Sequence, residues 1–365
     1  VAGTINHISG LDGLRGTAAM LVLLAHLSNE GLHLAPGVDL GGIGKSGVYL
    51  FFVLSAFLLS TQIRVAGFGK ITTWSYLHMY FEARILRIWP LFIAVCLFCL
   101  VTTWYGVPVL VPMDQAAFIE TLMLQRGDHH LWTIPVEFKF YFILPVVMLV
   151  LTGLLKNHTW LCAIASIFMA ALLFALTQRI ADGTDPMPFL GIFLAGVAAN
   201  YLAVAFKKTS EQSLNVRRGW EVAAFLCLAG YVCTIPSVYS VLSDTAYDRN
   251  AFHNAHILYC LLWSITVLGI LLGTGQLRRI LDSKPLVFLG KISYSLYLWH
   301  LIVVYLVGPF SHYRLESILH WYGLSKYIAS WSTLIGTILI ATASYYLIER
   351  PVLSWRKRHH VTQAS

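Results

Sequence analysis

Apolar runs of about twenty residues, separated by short polar breaks, recur from one end of this 365-residue chain to the other. Each is long enough to cross a hydrocarbon layer about 30 Å thick as a helix, and a chain carrying many of them has no water-soluble solution. Composition agrees, with 58% hydrophobic and 12% charged residues, where soluble domains carry about 25% charged. The expected fold is an all-α, multi-pass membrane protein with about ten transmembrane helices, over roughly 16–33, 46–63, 87–105, 132–154, 159–177, 187–205, 219–239, 255–272, 286–308 and 326–348. A single integral membrane domain over 1–365 is expected, with a short cytoplasmic tail from about residue 350, no appended soluble domain and no cleavable signal peptide.

Lysine and arginine set the orientation, because cytoplasmic connections are richer in them. Eighteen of the 25 fall on one side of the expected spans, against six on the other (Lys45, Arg126, Arg179, Arg249, Arg314 and Lys326) and Lys139 inside a span. Both termini are therefore expected in the cytoplasm, with the chain in the plasma (inner) membrane. The formal charge of +8 follows from this bias, and no basic face on a soluble module suggests a nucleic-acid partner. All six cysteines lie in or beside apolar runs, so a disulfide framework is not expected. Cys96 and Cys99, at CxxC spacing inside a span, read as buried packing rather than a metal or redox pair. No metal site is expected.

Ionisable side chains inside a membrane span cost several kcal/mol and usually face a cavity or a partner. The spans hold His26, Glu137, Lys139 and His300. Arg15 and His26 are eleven residues apart, about three helical turns, so they share a face with His26 about 16 Å deeper than Arg15. An imidazole there, reachable only through a cavity, suits a general base that takes and returns a proton at neutral pH. A core histidine bonded to a neighbouring helix meets the same constraint. Glu137 lies five residues beyond the interfacial Trp132, about 7–8 Å in depth, close to the level of His26, where a carboxylate would support an imidazolium. Pairing of Glu137 with Lys139 or an arginine is the packing alternative.

Arg84 and Arg87 stand at i and i+3 at the basic mouth of the third span, and with Arg15 they could hold the phosphates of a large anionic donor. Charge anchoring alone would place them there too. The glycine-rich stretch 41–47 lacks the order of residues that a phosphate loop requires.

Taken together, these segments resemble the acyltransferase-3 family of integral membrane O-acyltransferases. GLDGLRGTAA at 10–19, with His26 eleven residues after Arg15, is similar to that family's opening motif. GVYLFFVLSAF at 47–57, RILRIWP at 84–90, LWTIPVEFKFY at 131–141, SYSLYLWH at 293–300 and Glu349-Arg350-Pro351 resemble its later motifs in order. The sequence departs from the pattern at Ala56, where glycine is usual, and after His300, which Leu301 and Ile302 follow. The esterase-like domain fused to some relatives is not expected here.

The resemblance implies transfer of an acyl group, usually acetyl, from cytoplasmic acetyl-CoA as co-substrate to a hydroxyl of a carbohydrate or glycoconjugate acceptor. It implies His26 as the essential base or acyl-handling residue and Arg15, Arg84 and Arg87 as facing the CoA, and Glu137 falls on its glutamate position. Direct transfer with Glu137 supporting the imidazolium is the expected catalysis, and an acyl-histidine relay is the alternative. Trp132, Tyr141, Ser293, Tyr297 and His300 are candidates to line the substrate cavity. Acceptors as different as a cell-surface glycan and a macrolide sugar satisfy this reading. A transporter or flippase of a lipid-linked sugar is the rival of another class. Such a carrier is expected to show matched pairs of Gly/Pro-broken helices, which the sequence lacks.

Overall fold

The computed structural model describes residues 8–107, 111–177, 183–319 and 322–362. Arg179, the side chains of Arg314, Lys326 and Lys357, and the ends of the chain lie outside the described residues. Among the described residues there are helices and turns but no strand. The long helices are α1 (Leu11–Asn29), α2 (Gly44–Ala66), α3 (Trp74–Trp104), α4 (Thr133–Leu149), α5 (Thr159–Leu176), α6 (Leu190–Gln212), α7 (Leu214–Cys233), α8 (His256–Leu272), α9 (Ser293–Leu319) and α10 (Tyr322–Ser344).

Six helical segments are long and apolar enough by themselves to cross a membrane, and up to eight if each of two bent pairs counts as one span. The helices outside the six are informative. α1 carries Asp12, Arg15 and His26, and α9 reaches the count only with the short helix Lys284–Lys291, from which it turns by 76°. The ionisable groups of α1 lower its apolarity, and such groups in a membrane segment usually face protein or a cavity instead of lipid. α8 falls short on length, at 17 residues.

Two contacts at the start of the chain set where the site forms. A Cβ on Gly13 would sit 1.8 Å from the Leu281 carbonyl oxygen, and one on Gly290 2.0 Å from that of Asp12. Glycine is therefore required at both positions for α1 to lie backbone to backbone against the segment that leads into α9. The Gly10 N–H, donating to Asp282 Oδ1 at 2.7 Å, and the Ser9 hydroxyl, on Asp282 Oδ2, tie down the same end. This docking puts the first turn of α9 beside Arg15.

α2 runs through the interior. Phe52 stacks on Phe193 at 4.5 Å between ring centres, and Phe193 on Phe140 at 3.9 Å. Trp263 Nε1 donates to the Ser46 carbonyl at 3.0 Å. Ala56, the methyl that replaces the usual glycine, is fully buried opposite Gly196, where any Cβ would come within 2.9 Å of it. The space for that methyl is supplied by the facing helix, so the α2–α6 contact stays close. α5 turns Leu161, Ile164 and Phe168 outward, Phe168 being 66% exposed, a surface suited to lipid rather than water. Cys96 and Cys99 are free thiols with no exposed surface.

Candidate functional site

A cavity of about 270 Å³ opens among α1, α2, α3, α4 and α9. Three guanidinium groups face it: Arg15 from the first turns of α1, and Arg84 and Arg87 from adjacent turns of α3. Ion pairs among the described residues include Arg126 with Glu120 and Asp128, and Lys207 with Glu211, and none of these involves the three arginines. Arg84 is instead flanked by aromatic faces, its guanidinium 5.9 Å from the Tyr80 ring centre and 6.0 Å from that of Tyr141. Its Nε is buried without a hydrogen-bond partner, as is Ser293 Oγ across the cavity. A buried donor left unsatisfied costs about 1–3 kcal/mol, and two around one cavity mark a place shaped for a ligand rich in acceptors. Phosphate, with its multiple oxygens, is the group arginine recognises best.

The acidic part of the wall is organised by hydroxyls. Glu137 Oε1 accepts from Ser55 Oγ and from Tyr141 Oη, both at 2.7 Å. Lys139, two residues on, points elsewhere and donates to the Thr184 carbonyl at 2.8 Å, which removes the Glu137–Lys139 pairing. Tyr294 Oη is anchored on the Ile88 carbonyl at 2.8 Å. Glu349, the last residue of the π-helical turn Tyr345–Glu349 that follows α10, is buried and accepts from Ser295 Oγ.

His26 lies beyond the inner end of this cavity. Its ring centre is 5.1 Å from that of His300, and His300 is 5.0 Å from His130. The offset is one helical turn on each wall: Val48, Thr133 and Tyr297 line the cavity, and Gly44, His130 and His300 stand three or four residues farther along. Tyr297 forms the partition. Its Oη donates to the His130 carbonyl at 2.7 Å and accepts from Thr133 Oγ1 at 2.9 Å.

The structure therefore brings Arg15, Arg84, Arg87, Glu137, Tyr141, Ser293 and Tyr297 around one cavity, and places His26 and His300 together next to it. Trp132 lines neither. It stacks on Phe189 at 4.8 Å and meets Phe52 edge-on at 6.2 Å, backing the wall that Phe52 forms. Glu137 Oε1 is engaged with Ser55 and Tyr141, and the ring nearest His26 among the ring contacts of the described residues is His300. Depth counted from Trp132 says nothing about direction around the helix, and the 3₁₀ turn His129–Trp132 carries His130 to the ring of His300. Sequence reasoning passed over Ser55, Asp12 and Tyr294, which sit inside motifs it singled out. It also passed over His130, one residue before such a motif. Among the described residues no three His, Cys, Asp or Glu side chains are placed to hold a metal ion.

Comparison with known proteins gives one consistent answer. The family model described as "Acyltransferase domain" matches residues 8–349. OatA of Listeria monocytogenes, named a peptidoglycan O-acetyltransferase, is 24% identical over 95% of this chain and 56% of its own length. The Bacillus subtilis protein named "Putative peptidoglycan O-acetyltransferase YrhL" is 24% identical over 95% of this chain and 55% of its own length. The chain thus spans a little over half of the curated relatives it matches. No solved structure matches it.

Proposed function

This chain belongs to the acyltransferase family whose model covers residues 8–349, and from that premise we propose that it transfers an acetyl group from acetyl-CoA to a hydroxyl of a carbohydrate acceptor across a membrane. In this reading the ten long helices are ten spans, with both termini and the arginine mouth of the cavity in the cytoplasm. The observation that carries the proposal is the adjacency of two unlike sites, three arginines with an unpartnered Arg84 Nε and, one helical turn deeper, a cluster of histidines.

Arg15, Arg84 and Arg87 hold the donor's phosphates, which directs its thioester past Ser55 and Tyr297 toward His26. His26 takes the proton of the acceptor hydroxyl as that oxygen attacks the thioester carbonyl carbon. The carbon–sulfur bond then breaks, and the imidazolium returns its proton to the departing thiolate, so the acetyl ester and free thiol are the products. Glu137 keeps Ser55 and Tyr141 in place on the cavity wall rather than acting on the imidazole. The names of the two relatives favour a peptidoglycan-type glycan as acceptor.

Membranes carrying the chain, given radiolabelled acetyl-CoA and a peptidoglycan acceptor, test the proposal directly. Label is expected in the glycan with wild-type chain and not with His26→Ala. Full transfer by His26→Ala would remove the assignment of the base, and wild-type membranes that never consume acetyl-CoA would remove the donor.

A further inference from the structure

His130 and His300 are buried imidazoles that the transfer chemistry above leaves without a task. Each has one ring nitrogen committed to a main-chain carbonyl: His130 Nε2 to Leu298 O at 2.9 Å and His300 Nδ1 to Tyr297 O at 2.5 Å. A carbonyl oxygen can only accept, so those nitrogens carry the hydrogens, and in a neutral ring the opposite nitrogen is a bare lone pair. Those opposite nitrogens, His130 Nδ1 and His300 Nε2, are both buried with no partner. Side chains 4% and 1% exposed with open acceptor sites are costly to maintain unless something supplies a hydrogen.

Both rings belong to the group around His26, with centres 5.0 Å apart and His300 5.1 Å from His26. Around them stand Tyr297, whose hydroxyl is engaged with the His130 carbonyl and Thr133, and the exposed His129. We infer that His130 and His300 are the acceptor-binding residues: their free lone pairs take hydrogen bonds from hydroxyls of a polyhydroxylated acceptor, holding a neighbouring hydroxyl at His26. This rests on the reading of the protein as an acetyltransferase acting on a hydroxyl. Lone pairs select for alcohols and against phosphates or carboxylates, which would bring lone pairs of their own. No bond is made or broken at His130 or His300; they bind and orient, and His26 alone exchanges a proton.

The test uses the full chain in lipid nanodiscs, acetyl-CoA as donor and a soluble disaccharide fragment of peptidoglycan as acceptor. His130→Phe and His300→Phe are each expected to raise KM for the disaccharide about tenfold while leaving the Kd for acetyl-CoA within about twofold of wild type. An unchanged disaccharide KM in both variants, or a matching loss of acetyl-CoA binding, overturns the inference. If the phenylalanine variants do not fold, singly deoxygenated disaccharides with the wild-type chain carry the test. At least one must bind about tenfold more weakly, and uniform affinity across the set overturns it. Calorimetry of disaccharide binding without donor separates the two readings. A wild-type chain that binds the sugar but consumes no acetyl-CoA defeats the donor assignment alone, whereas one that does not bind the sugar defeats this inference.

Discussion

The arginine cavity and the histidine cluster are neighbours, one helical turn apart on α2 and α9, yet opposite in what they offer a ligand. The cavity presents donors: three guanidiniums, with an orphan N–H on Arg84. The cluster presents acceptors, the open nitrogens of His130 and His300. A region of buried donors retains anions and a region of buried acceptors retains hydroxyls, so a two-substrate reaction can be sorted by hydrogen-bond polarity alone. Tyr297 stands at the boundary and belongs to both.

His26→Ala puts the greatest strain on this division. It is expected to lower kcat about 10²- to 10⁴-fold, the usual scale for a general base, with acetyl-CoA affinity retained; weakened acetyl-CoA binding measured by calorimetry would merge the two regions into one. Arg84→Met or Arg87→Met should raise KM for acetyl-CoA about tenfold to a hundredfold, since a hydrogen bond to a charged group contributes about 1.5–3 kcal/mol. Lysine at either position should restore little of this where the contact is two-pronged, and steady-state kinetics with acceptor held saturating will show whether the acceptor KM stays constant.

Glu137→Gln sharpens the comparison, because the two positions proposed for that carboxylate predict different kinetics. Loss of the charge that holds Ser55 and Tyr141 should alter KM for acetyl-CoA by several fold, about 1 kcal/mol. A collapse of kcat like that of His26→Ala would return Glu137 to the imidazole. The smallest effect is expected from Tyr297→Phe, which keeps the ring but loses the bonds to Thr133 and the His130 carbonyl. About a threefold loss of transfer, with a larger share of acetyl-CoA hydrolysed to acetate, is the outcome expected when a partition loosens by one hydrogen bond; unchanged partitioning in a radiolabel assay would show that the hydroxyl does not separate the regions.

Much of the site was legible because its parts lie on helices with a readable period. Arg84 and Arg87 at i and i+3 share a face in any helix, and Arg15 with His26 does so over three turns, so their common orientation followed from spacing. Glu137 was placed by depth, which rises steadily along a helix, but its direction depends on how α4 is turned after the 3₁₀ turn before it and on which hydroxyls reach it from α2. Ser55 is an unremarkable serine in an apolar motif until α2 packs against α4. His130 sits in a short connection where no period exists to read.

The sequence by itself determined that this is a helical chain built from membrane-length segments, with costly ionisable groups in a few of them and arginines gathered at one end, because hydrophobic period and charge bias are local quantities. Which side chains share a cavity was decided by the tertiary structure. The backbone contacts at Gly13 and Gly290 dock α1 on the segment that turns into α9, and only that approach sets Ser293 and Tyr297 beside Arg15, and His300 beside His26. Rotation and approach of one helix against another are fixed by contacts between residues hundreds of positions apart, and no local pattern carries that information.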